Sequence, residues 1–103
     1  MHEGAVTLNE DGIILYSNSC FSGMINLPLQ KVMGSEFKNF IDDSSKDRFE
    51  PYLKKAREHV IKVEFHLYTI DNKFIPVLIS ANIIQMDDTL VLSIFITDLT
   101  ASY

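Results

Sequence analysis

The side chains that stand out for chemistry in this sequence are one thiol, three imidazoles, the adjacent carboxylates Asp42-Asp43 and Asp87-Asp88, and a serine set among apolar neighbours. Cys20 has no second cysteine to bridge with, which rules out a disulfide framework or a cysteine-built zinc site and makes a reducing cytoplasm the default location. His2, His59 and His66 are scattered and share no metal-ligand spacing. His2 lies in the loose start, His59 ends a predicted helix where positive charge suits the dipole, and His66 falls on the polar face of a predicted strand. Ser93 would need a positioned base to act as a nucleophile, and none is spaced to supply one. Asp42-Asp43 and Asp87-Asp88 read as a polar loop and a hairpin tip, and Lys54 to Arg57 as a solvated helix face. No catalytic residue and no metal ligand is assigned. A small cofactorless α+β enzyme stays as an alternative that requires a polar residue deep in a cavity.

The elements that must position these groups come from one domain. A chain of 103 residues has room for a single core, and 47% apolar against 22% charged residues is the balance of a globular chain. A net charge of −5 repels a phosphate backbone, so no nucleic-acid partner is expected. Apolar runs such as Leu90 to Ile96 fall far short of the roughly 20 residues of a membrane helix, so this segment is expected to make no membrane contact. Met1-His2-Glu3-Gly4 lacks the basic start of a signal peptide.

Gly4 to Leu8 and Ile13 to Ser17 read as a hairpin turning at Asp11-Gly12. Asn18 can cap a helix over 19–25, with Phe21, Met24 and Ile25 at helical spacing. Leu27-Pro28 breaks it and starts a second, Gly34 supplies a left-handed stop, and Ser35 caps a third carrying Phe37, Phe40 and Ile41. A longer helix presents Phe49, Leu53, Ala56 and Val60 on one face, and Pro51 puts its regular start near residue 50. From Ile61 the period becomes twofold: Val63, Phe65 and Leu67, then Val77, Ile79, Ala81 and Ile83, then Leu90 to Thr97, with turns at Asp71-Asn72-Lys73 and Met86 to Thr89. The prediction is α+β: a five-stranded antiparallel sheet with short helices packed on one face.

Taken in this order, the residues resemble a PAS domain, the sensory module of histidine kinases, cyclic-dinucleotide enzymes and transcription regulators. The resemblance spans nearly the whole chain. It rests on the hairpin Val6 to Ser17, Asn18 opening the first helix, Leu29-x-x-Val32-Met33-Gly34, Val63-Glu64-Phe65, and above all Asp98-Leu99-Thr100, which is similar to the Asp-Ile-Thr signature closing the last strand of many PAS domains. It implies that Asp98, with Thr100, holds the junction between the sheet and the segment leaving for the effector; the plainer reading of Asp98 is a strand-end carboxylate accepting nearby amides. Because the sequence stops at Tyr103, just past this signature, residues 1–103 are expected to be a single PAS domain excised from a larger signalling protein, with a histidine kinase of a two-component system as effector beyond the C-terminus.

The same resemblance disfavours two cofactors. In the flavin-binding LOV subclass the reactive cysteine follows the glycine of a segment that here reads Gly34-Ser35-Glu36-Phe37, and Phe37 stands in its place. In haem-binding PAS oxygen sensors a helical histidine ligates iron roughly where this chain has Phe49, which leaves His59 as a remote substitute. Cys20, in the first small helix, reads as a small buried hydrophobe. The cofactor stays unknown.

A space between helices and sheet is expected to be lined by Phe37, Phe40, Ile41, Phe49 and Leu53 from the helices and by Phe65, Ile79, Leu92, Ile94 and Ile96 from the strands. A ligand there would be small and mostly apolar. The aromatics could equally fill the space, because interiors are close-packed. Val91 and Phe95 fall on the opposite sheet face, joined by Tyr68 and Leu78, an apolar patch suited to a homodimer. The resulting expectation is a sensor that binds a small ligand or partner and relays a conformational change, with a ligand-free PAS homodimerisation module as the alternative.

Overall fold

A computed structural model of the chain describes residues 3–100. His2 and the residues after Thr100 lie outside the described residues. The chain runs β1 (Glu3–Leu8), β2 (Ile14–Ser17), α1 (Ser19–Ile25), α2 (Leu29–Val32), a 3-10 turn (Phe37–Phe40), α3 (Asp43–Ala56), β3 (Lys62–Tyr68), β4 (Phe74–Met86) and β5 (Thr89–Asp98). The strands form one antiparallel sheet in the order β2-β1-β5-β4-β3, so the first strand lies between its hairpin partner and the last strand.

Local chemistry explains the first half. Gly12 takes φ 82° in the hairpin turn, while the Asn9 carboxamide accepts the amides of Asp11 and Ile13 at 2.9 and 3.0 Å. Asn18 caps α1 by accepting the Phe21 amide at 3.0 Å. Asn26, left-handed at φ 60°, stops that helix one residue before the Leu27-Pro28 step to which the sequence assigns the break. Pro28 is the N-cap of α2, and Gly34, at φ 90°, follows it as expected.

Three sequence expectations are corrected. Ser35 does not cap the 3-10 turn: its hydroxyl donates backwards to the Val32 carbonyl, and Glu36 holds the cap position without a side-chain bond. The long helix starts at Asp43, capped by Asp42, and Pro51 lies inside it. A proline removes one amide donor to the carbonyl four residues earlier, and here that residue, Asp47, is exposed to water. The helix also ends at Ala56, so Val60 is outside it and 66% exposed, and the inward place beside Phe49 and Ala56 goes to Tyr52, with Leu53 half-buried.

The inner face of the sheet carries Val6, Leu8, Phe65, Leu67, Val77, Ile79, Ala81, Leu92, Ile94 and Ile96, all buried under the helices. The alternation read from the meander therefore points the way the sequence predicts.

Candidate functional site

Helix spacing and strand alternation bring the ten residues predicted to line the interior together, and aromatic rings connect its centre. Phe37 lies 5.7 Å from Phe21 and 5.4 Å from Phe49, Phe49 lies 5.8 Å from Phe65, and Phe65 meets Tyr52 at 5.4 Å, centroid to centroid. Phe40 stands edge-on to Phe21 at 5.9 Å. These are distances of rings in contact. Ile41, Ile79, Leu92, Ile94 and Ile96 pack in the same buried cluster, and Leu53 lies partly buried against it. A ligand entering between helices and sheet here has to displace a ring.

Two polar side chains that the sequence reading passed over secure this core. Tyr52 directs its hydroxyl to the carbonyls of Ile61 at 2.7 Å and Ile79 at 3.2 Å, bridging β4 and the segment leading into β3. Burial pushes its pKa up, against a smaller opposing pull from the Ala81 amide, so it stays a protonated donor and a poor base. Arg48 lays its guanidinium 4.8 Å from the Phe65 ring centroid and donates to the Glu64 carbonyl at 3.1 Å, occupying an edge group of β3. Tyr52 lies three residues after Phe49 and four before Ala56, a spacing legible once the helix is known to start at Asp43. The buried polar residues Ser17, Ser45 and Thr69 are each engaged in local hydrogen bonds.

Open space lies beside this core. A cleft of about 220 Å³ runs between the β1–β2 turn, the 3-10 turn and α3, with Phe49 and Leu53 at its base. Glu10 and Asp11 line it from the β1–β2 turn, Glu36 from the cap of the 3-10 turn, and Lys54 and Arg57 from α3 and its C-cap, while a Lys38–Glu50 ion pair of 3.2 Å joins the 3-10 turn to α3. Of the ten predicted lining residues, Phe49 and Leu53 border it.

The junction predicted at Asp98 is a hydrogen-bonded turn. One Asp98 oxygen accepts the Thr100 amide at 2.8 Å and the Thr100 hydroxyl at 2.6 Å, and the Leu99 amide donates to the Pro76 carbonyl at 3.0 Å. Glu3 pairs with Thr97, so the start of β1 and the end of β5 lie side by side. Asn18 ties that start to α1: its oxygen accepts the Ala5 amide at 3.0 Å as well as that of Phe21, and its nitrogen donates to the Glu3 carbonyl at 2.9 Å. Cys20, half-buried in α1, has its pKa pushed up by burial and then by the charges of Asp98 and Glu3, the opposite of an activated thiol.

On the outer sheet face, Phe95 pairs with Ser80 and Ala5, Leu78 with Thr97, Val91 with Ile84, and Tyr68 with Phe74. Phe95 and Leu78 are half-buried, Tyr68, Phe74 and Ile84 exposed, while Val91 is buried outside the main core. His66 lies on this face with its ring 4.4 Å from Phe74, and His59 is exposed after α3. Among the described residues no cluster of three or more His, Cys, Asp or Glu could hold a metal, and no helix is long and apolar enough to cross a membrane.

A five-stranded antiparallel sheet of this order, covered by helices on one face and closed by the Asp98 turn, defines the chain as an α+β module. The sequence matches the family model described as a PAS domain over residues 2–101, and the chain belongs to the PAS family. Solved structures agree. The chain is similar to the PAS domain of a two-component sensor histidine kinase (12% identity, 93% of this chain and 84% of that one, TM-score 0.81). It is similar to the PAS domain of an HTR-like protein from Haloarcula marismortui (15%, 93% and 80%, TM-score 0.80) and to one from Desulfitobacterium hafniense (15%, 96% and 94%, TM-score 0.82). Among curated proteins none matches the sequence.

Proposed function

We propose that this PAS domain is a non-catalytic sensory module of the cytoplasm that binds a small ligand or partner and relays the event through Asp98-Leu99-Thr100 to an effector joined after β5, a histidine kinase. The observation that carries the reading is the coupling at the junction. Asn18 bonds α1 to Glu3 and Ala5 of β1, β1 pairs along β5, and β5 ends in the Asp98 turn. A shift of helices against sheet therefore reaches the exit segment through hydrogen bonds. A ligand produces that shift only by its differential affinity for two packings. Neither haem nor flavin belongs to this reading, because Phe37 and Phe49 are core rings where those subclasses carry their cysteine and histidine.

Native mass spectrometry with an absorption spectrum, on protein purified gently from its host, tests it. A bound small mass supports the sensor. An empty protein at dimer mass supports the second reading, a ligand-free homodimerisation module. The ring contacts of the interior and the apolar outer face around Phe95 favour that alternative. Sedimentation of Phe95→Glu tests the outer face: a dimer through this face falls to monomer, and a wild type already monomeric at high concentration refutes the homodimer.

A further inference from the structure

We propose that the cleft between the β1–β2 turn and α3 binds a small zwitterion with an apolar body, a free amino acid or dipeptide, and that this is the ligand input of the sensory module; the inference rests on that reading of function. The cleft combines a volume of about 220 Å³ with a base formed by Phe49 and Leu53. That is below the roughly 300–1,000 Å³ of drug-sized sites, and it suits a molecule the size of a metabolite.

Apart from the Lys38–Glu50 pair, which neutralises itself, the charges lining the cleft are divided by element. The turn side offers the carboxylates of Glu10, Asp11 and Glu36, and the α3 side offers Lys54 and Arg57. Among the described residues these five make no ion pair, in contrast to Lys38 and Glu50 beside them. A purely anionic ligand would meet the acidic side and a purely cationic one the basic side. A zwitterion satisfies both while its apolar body covers Phe49 and Leu53.

The acidic side is held in place before any ligand arrives. Asn9 fixes the turn through the amides of Asp11 and Ile13, and the Gly12 carbonyl accepts the Phe37 amide at 3.0 Å, joining it to the 3-10 turn. Such preorganisation lowers the ordering cost of binding. The turn also sits at the opposite end of β1 from Glu3, so a ligand drawing it toward α3 loads the strand that Asn18 ties to the exit junction.

The test titrates the chain with L-leucine and L-leucyl-leucine, with 4-methylpentanoate as acid-only and 3-methylbutylamine as amine-only probes, by calorimetry and Tm. The expected result is binding of a zwitterion, with weakening of about three- to tenfold when either the Lys54→Glu/Arg57→Glu or the Glu10→Lys/Asp11→Lys pair is reversed, and a fall in affinity at high salt. All four positions are exposed, so folding survives the reversals. No binding at millimolar concentration, equal binding of the acid-only probe, or indifference to both reversals overturns the inference. If native mass spectrometry still finds another bound mass, the sensor reading stands without this site. If a zwitterion binds but amide exchange at Asp98 to Thr100 does not change, the site stands and the relay fails.

Discussion

Asn18→Ala isolates the strongest polar link between the first helix and the sheet. The carboxamide accepts the amides of Ala5 and Phe21 and donates to the Glu3 carbonyl, all at 2.9–3.0 Å. Losing the helix cap costs about 1 kcal/mol. The other two bonds are partly exposed and contribute about 0.5–1 kcal/mol each, because water satisfies part of what is lost. The total of about 2–3 kcal/mol corresponds to a fall of about 10–20 °C in Tm for a domain of this size. Asn18→Asp keeps both acceptor bonds, loses the donor and sets a carboxylate beside the Glu3 carbonyl, so it costs about 1 kcal/mol. Urea unfolding followed by circular dichroism gives the order wild type, Asp, Ala, with an unchanged m-value. A cost below about 0.5 kcal/mol for the alanine variant, or an aspartate variant as unstable as the alanine one, refutes the assignment of Asn18 as the link.

Tyr52→Phe removes a buried donor to two carbonyls and costs about 1–2 kcal/mol in the same assay. Because burial raises the Tyr52 pKa, its contribution is complete below the ordinary phenol value and is lost as pH rises through the folded value; the phenylalanine variant therefore shows a flatter alkaline limb. Phe49→Ala opens a hole between Phe37 and Phe65 and costs about 3–5 kcal/mol, read from the denaturation midpoint. Asp98→Ala deletes two exposed bonds, costs about 1 kcal/mol or less and leaves the domain folded while uncoupling sensing from effector activity in the full-length protein. A loss of several kcal/mol would instead make Asp98 a structural residue. The Ser44 hydroxyl and amide hold the Asp42 carboxyl below its usual range, so this cap contributes above the unfolded carboxylate pKa and is lost as pH falls through the folded value. Ser44→Ala moves the Asp42 titration, followed by NMR, to higher pH.

Periodicity and capping were enough to place most elements, since both act between residues a few positions apart. The twofold alternation through Phe65, Ile79 and Ile94 fixed which strand face turns inward, and Asn18 marked the start of α1 at the right residue. Pro51 misled because a proline weakens a helix without forbidding it, and here the residue whose carbonyl loses its donor, Asp47, is exposed, which is not written locally. Val60 misled for the related reason that a helical pattern does not say where the helix ends.

Tertiary structure alone decided what depends on residues far apart in the chain. The pairing of β1 with β5 sets Glu3 against Thr97, and only then can Asn18 connect the first strand to the exit turn. Tyr52 became the donor to Ile61 and Ile79 because α3 crosses the sheet where β3 leaves β4. The cleft draws on residues 10–12, 36–38 and 49–57, whose charges look like ordinary solvated surface in the sequence. They line one cleft only when the hairpin turn folds against the helix, because composition determines how much charge a chain carries and topology determines which charges meet.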